Sequence, residues 1–228
     1  MSVESHRVLI GACGWQHPAW LNDFYDEDLP EEWQLGFYSN EFAVVYLPAN
    51  KWIDNPEIDE WKEDVADSFR FILEIPADIV NETKRFAAAL KKAKELGEFC
   101  LGLVFHVNQT VMENVNTFRE HLKLATEFVP VCIDKQDNEL TEEFSKILQQ
   151  ENISEVWHGN SAAAESLKIG GLVVSHVNAD ELDMPELRKV METCLSVSTE
   201  NRISVLCLDG DPPSLEKLRN ATIILNLL

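Results

Sequence analysis

Eight short apolar runs, separated by stretches that are amphipathic or turn-rich, leave this 228-residue chain few ways to fold. The runs are Arg7–Ala12, Phe42–Leu47, Phe69–Ile75, Cys100–Val107, Val129–Ile133, Glu155–Trp157, Gly171–Val177 and Ile203–Leu208. They are rich in Val, Ile, Leu and Phe and show little polar alternation. Strands read this way when both faces are covered, as in a parallel sheet wrapped by helices. Helices are expected between them. Asn81–Leu96 has apolar residues at helical spacing, Asn81 as its N-cap and Gly97 as its stop. Val111–Phe128, Thr141–Gln150, Pro185–Leu195 and Ser214–Asn220 follow the same pattern, and Trp33–Tyr38 predicts a short helix between the first two strands. Eight strands with intervening helices predict the α/β class and a TIM-barrel-like (β/α) barrel, with residues 1–228 as a single domain. An open doubly wound sheet is the alternative. It is disfavoured because no GxGxxG phosphate loop follows the first strand.

Composition narrows the function classes. No apolar stretch approaches the roughly 20 residues of a membrane helix, and the N-terminal run is too short for a signal peptide. Five cysteines (Cys13, Cys100, Cys132, Cys194 and Cys207) are odd in number and form no CxxC pair, so neither a disulfide framework nor a structural zinc site is expected. Together these features predict a cytoplasmic protein with no membrane partner. The net charge is −21, from 40 acidic and 19 basic residues. Such a surface repels a phosphate backbone, so a nucleic-acid partner is not expected. The acidic residues are spread over helix faces and loops and read chiefly as solvated faces.

The first third of the chain carries a specific aromatic pattern. It runs Ile10-Gly-Ala-Cys-Gly-Trp15, Trp20, Phe24-Tyr25, Leu29, Tyr38, Phe42 and Val45, then Trp61, Phe69-Arg-Phe71 and Pro76. This resembles the YecE-like family, also called domain of unknown function 72, and Leu103-Val-Phe105 continues the likeness. The resemblance implies a TIM-barrel-like fold and names no reaction. The chain is a divergent member by this measure. Where the family has Val-Glu-x-Asn after the second strand, this chain has Val45-Tyr-Leu-Pro48. The family's lysine before the third-strand proline is replaced by Glu74, its fourth-strand glutamine by His106, and its fifth-strand Glu-Phe-Arg by Cys132-Ile-Asp134. Asp209 stands where an amide is common. The resemblance thus implies an altered pocket, and one poorly suited to an anionic ligand.

Side chains at the carboxyl ends of barrel strands converge on one face. Here those ends supply Tyr46, Glu74, His106, Asp134, His158, His176 and Asp209, with Trp15 beside them as a ligand-pocket candidate. Two functions fit. One is a binding or interaction module for a small-molecule or protein ligand, with the polar pocket altered; this is the preferred reading. The other is a metal-dependent hydrolase, of nuclease, phosphodiesterase or other type, because His and Asp from different strands are ligand types for a divalent metal. The alternation of Val173-Val-Ser-His176 allows only one of Ser175 and His176 to face inward. Cys132 is a weaker nucleophile candidate near Asp134 and His106. Cys13 is expected to pack beside Trp15. Glu74, Asp134 and Asp209 are candidates for a carboxylate pair.

Overall fold

The computed structural model describes residues 8–136, 138–159 and 165–228; Arg7, expected to start the first strand, lies outside them. The strands are β1 (Val8–Cys13), β2 (Val44–Leu47), β3 (Arg70–Ile75), β4 (Cys100–His106), β5 (Val131–Asp134), β6 (Ser154–Glu155), β7 (Leu172–Asn178) and β8 (Ile203–Asp209). The helices are α1 (Gln34–Glu41), α2 (Ala49–Trp52), α3 (Trp61–Asp64), α4 (Ala77–Val80), α5 (Thr83–Ala93), α6 (Gln109–Glu113), α7 (Val115–Thr126), α8 (Glu142–Gln150), α9 (Met184–Val197) and α10 (Leu215–Leu227). All eight strands are parallel and lie in the order β6-β5-β4-β3-β2-β1-β8-β7. Between the two end strands, Trp157 bridges to β7: its amide donates to the Val174 carbonyl at 2.9 Å and its carbonyl accepts from His176 at 2.8 Å. The sheet is therefore a nearly closed barrel with helices around it, the TIM-barrel-like architecture expected from the strand pattern.

Alternation along each strand divides the apolar side chains into two separate clusters. Val44, Tyr46, Ile72, Val104, Cys132, Val174, Val205 and Cys207 fill the barrel interior. Their neighbours in sequence, among them Val45, Leu47, Phe71, Leu73, Phe105, Ile133, Val173 and Leu206, pack outward against the helices. Because both faces are covered, each strand needs apolar residues at every position, which is why the runs show no polar alternation. Fully burying one such side chain stabilises the fold by about 1.5–3 kcal/mol. Gly102 sits where a Cβ would lie 2.2 Å from Leu172 Cδ2, so a larger residue there would require the Leu172 side chain to move.

Helix boundaries depart from expectation: α10 runs to Leu227, well past the expected end at Asn220, and two helices nearer the N-terminus begin or break elsewhere than expected. Asn81 does not start the long helix. It closes the short turn α4, and Glu82 caps α5 by accepting from the amides of Lys84 and Arg85. The stretch from Val111 is broken at Asn114, which ends α6 and precedes α7. Gly97, expected as the stop, breaks the 3-10 segment that follows α5, with φ at +56°. Among the described residues, no helix is long and apolar enough to cross a membrane. All five cysteines are buried free thiols.

Candidate functional site

Each strand delivers one inward-facing side chain to the carboxyl end of the barrel. The series is Cys13, Tyr46, Glu74, His106, Asp134, His158, His176 and Asp209, one from each strand or the segment that extends it. None of the eight is Lys or Arg, so imidazoles are the basic groups set against three carboxylates. Parallel register places neighbours side by side: Cys13 pairs with Tyr46, and His106 with Asp134.

One half of the ring is a row of alternating acid and imidazole. The Tyr46 hydroxyl donates to Glu74 Oε2 at 3.3 Å, and the Ala49 amide reaches Glu74 Oε1 at 3.4 Å. His106 Nε2 lies 3.5 Å from Glu74 Oε2 and 3.8 Å from Asp134 Oδ2. Gln136 contacts His106 Nδ1 through its side-chain amide at 3.1 Å and donates its backbone N–H to Asp134 Oδ1 at 2.8 Å. His158 Nε2 then lies 3.1 Å from Asp134 Oδ1, while its Nδ1 lies 3.1 Å from the His176 carbonyl oxygen. Burial alone would raise the Asp134 carboxyl. The hydrogen bonds from His158 and the Gln136 amide, with the nearby charge of His158 and His106, outweigh it and hold Asp134 below the usual carboxylate range. Of the contacts His158 makes, the His176 carbonyl and the Asp134 carboxylate only accept hydrogen bonds. Its Nδ1 must carry a proton to satisfy the carbonyl. At Nε2, 3.1 Å from a carboxylate oxygen, either a second proton or a cation must lie between the two atoms.

The other half is built around His176. Its Nε2 lies 3.0 Å from Cys13 Sγ and 3.4 Å from Asp209 Oδ2, and its ring stacks on Tyr46 at 4.9 Å. The Gly210 amide holds Asp209 Oδ1 at 2.8 Å, leaving Oδ2 toward the imidazole. The His176 hydrogen bond is the chief reason the Asp209 carboxyl lies low, and the Gly210 amide adds to it. Burial pushes the Cys13 thiol well up, and the nearby Cys207, Asp209 and Glu74 push it further. His17 Nε2 donates to the Cys13 carbonyl at 2.9 Å. The ligand atoms of Cys13, His176 and Asp209 all lie within 4.8 Å of one another, as do those of Asp134, His158 and His176. Either group could hold a metal ion.

A cavity of about 590 Å³ borders this half, with Cys13, Trp15, His17, Lys51, Trp61 and Asp209 in its wall. Trp15 stands outside the ring. It packs edge-on against Trp61 at 5.1 Å with an interplanar angle of 88°, forming the cavity's aromatic side. Most of the remaining aromatic ladder is core: Trp20, Tyr25, Tyr38 and Trp52 are buried, and Tyr38 pins β1 to β2 by accepting from the Ala12 amide and donating to the Val44 carbonyl.

The open alternation on β7 resolves toward His176. Ser175 turns outward to α9, where the Cys194 thiol reaches it at 3.4 Å. Cys13 does not pack beside Trp15; it sits inside the barrel against His176, because Leu9, Gly11 and Cys13 alternate onto the inner face. Cys132 lies deeper than a nucleophile needs. It contacts Ser154 Oγ at 3.0 Å and the Leu172 carbonyl at 3.3 Å, and burial pushes its thiol up to about 11. The carboxylates of Glu74 and Asp134 do not form a direct pair, since His106 stands between them. Cys13, His17 and Gln136 were missed from sequence. For Cys13 the signal was present, since it ends β1 two residues past Gly11.

Family-pattern comparison matches residues 9–190 to the family described as "Protein of unknown function DUF72". No curated protein matches the chain. Among solved structures, a DUF72 family protein from Thermotoga maritima is similar at 13% identity and a TM-score of 0.72, covering 97% of this chain and all of that one. KGPDC from Streptococcus mutans is similar at 9% identity and a TM-score of 0.52, covering 96% of this chain and 98% of its own. At these identities the likeness concerns the fold. With its family pattern matched over residues 9–190, and the barrel and opening aromatics in place, the chain belongs to the DUF72 family.

Proposed function

We propose that this protein is a metal-dependent hydrolase whose cation binds in the ring at the carboxyl end of the barrel, on or beside His176. The observation that carries this reading is that His176 offers its ring to two sets of ligand atoms, with Cys13 and Asp209 and with Asp134 and His158, each set lying within 4.8 Å. A divalent cation also supplies the positive charge that three carboxylates lack in a ring without Lys or Arg.

A metal held there would supply a hydroxide nucleophile near neutral pH. The row Glu74, His106, Asp134 and His158, linked by contacts of 3.5, 3.8 and 3.1 Å, would accept the proton lost in forming that hydroxide and return it to a leaving group. The cavity beside Cys13 and Asp209 gives a small polar substrate room, against the aromatic wall of Trp15 and Trp61. These features favour an enzyme over the plain binding module, which would have no use for titratable groups packed at these distances.

The test is hydrolysis of a panel of carboxyl esters, amides and phosphodiesters by the purified protein. Activity that is removed by a chelator, restored by zinc or manganese, and absent from His176→Ala is the expected result. Hydrolysis indifferent to chelation, or a protein that binds no divalent transition metal, overturns the reading.

A further inference from the structure

Resting on the reading that the ring binds a metal, we infer that the metal is zinc and that its ligands are Cys13, His176 and Asp209, with the fourth position facing the 590 Å³ cavity. Three strands converge here: β1 ends at Cys13, β7 carries His176 and β8 ends at Asp209. Zinc bonds of about 2.3 Å to sulfur and about 2.0–2.2 Å to nitrogen and oxygen place tetrahedral ligand atoms roughly 3.3–3.6 Å apart. Cys13 Sγ and Asp209 Oδ2 stand 3.0 and 3.4 Å from His176 Nε2 and within 4.8 Å of each other, so small shifts of the thiol and the carboxylate bring all three to zinc-ligand spacing. Both contacts converge on the same ring nitrogen. That rules out a Cys–His–Asp catalytic triad, in which the carboxylate must hold the other nitrogen.

The surroundings fit a held cation better than a free thiol. Cys13 is 9% exposed, and the ring around it offers carboxylates and no Lys or Arg to balance them. The flanking contacts fix each ligand. The Gly210 amide turns Asp209 Oδ2 inward, the Tyr46 ring backs His176, and His17 ties down the Cys13 carbonyl. A thiolate with an imidazole selects zinc over magnesium or calcium, which prefer oxygen alone. Three protein ligands with one position toward a cavity is the pattern of a catalytic rather than a structural zinc. Asp134 and His158 then stand beside the metal as proton-handling groups and not as ligands.

Zinc titration of the full chain, followed by cobalt substitution, tests the assignment. One zinc per chain is expected, and the cobalt form should show thiolate-to-cobalt charge transfer in the near ultraviolet. Cys13→Ser should remove that band and weaken zinc by at least about 100-fold, the upper end of the effect of an outer-shell change. Asp134→Asn should keep both the band and the one-to-one stoichiometry. Melting of each metal-free variant shows that it is folded. If Cys13→Ser leaves the metal in place while Asp134→Asn or His158→Gln loses it, the zinc–thiolate assignment is overturned and the metal enzyme stands. If wild type binds no metal, both are overturned.

Discussion

Gly11 runs so close to β2 that an added Cβ would lie 1.7 Å from the Val44 carbonyl oxygen and 2.7 Å from its carbon. Backbone cannot yield by that amount without breaking the β1–β2 ladder. Gly11→Ala is therefore expected to give no folded protein, as judged by circular dichroism. Gly97 differs: a Cβ there meets no atom within 4 Å, yet φ is +56°. Gly97→Ala should fold and lose about 1–3 kcal/mol in denaturant unfolding, the cost of holding an L-residue in so sparsely populated a backbone conformation. Tyr38→Phe removes two buried backbone partners, the Ala12 amide and the Val44 carbonyl, and should cost about 1–3 kcal/mol. At this scale the sequence was readable wherever period and neighbourhood agreed. Seven of the eight ring positions could be named because they end apolar runs. Cys13 was not named, because a small thiol between two glycines reads as filler until Leu9 and Gly11 set its face.

Among the elements, strands were the most legible, since an uninterrupted apolar run needs no other explanation than burial on both faces. Helix ends were less so. Asn81 offered a capping side chain, but the chain turns once through α4 first, and Glu82 takes the capping position instead. Asn114 interrupts an otherwise periodic stretch with φ −104° and ψ 48°, which local propensity alone does not signal. Of the side-chain caps, Thr141 was expected, whereas Asp183 and Asn108 were not. Thr141 accepts from the Phe144 amide, and Asp183 forms a capping box with Glu186 ahead of Pro185. Asp183→Ala should cost about 0.5–2 kcal/mol in chemical denaturation with no change in metal binding, because α9 packs on the outer face of the barrel.

For the whole molecule, the barrel closes at its weakest point, where β6 has two residues and Trp157 carries the bridge to β7. His158 and His176 flank that bridge, so the closure and the site are one piece of construction. The class of fold was legible from the spacing of the apolar runs. The convergence of side chains was not, since no spacing along a chain gives a distance across a barrel. A net charge of −21 should leave the fold strained by its own repulsion at low salt. The unfolding temperature is expected to rise as sodium chloride goes from about 10 to 150 mM, over which the screening length falls from roughly 30 to 8 Å. The proposed chemistry depends on a metal held around His176 at the carboxyl end of this barrel. Elemental analysis of the protein purified without chelator, beside His176→Ala, decides whether one is there. About one divalent transition metal per chain is expected in the wild type, with a loss of about 100-fold in affinity in the variant. Metal-free wild type that takes up none on addition of zinc or manganese would contradict it.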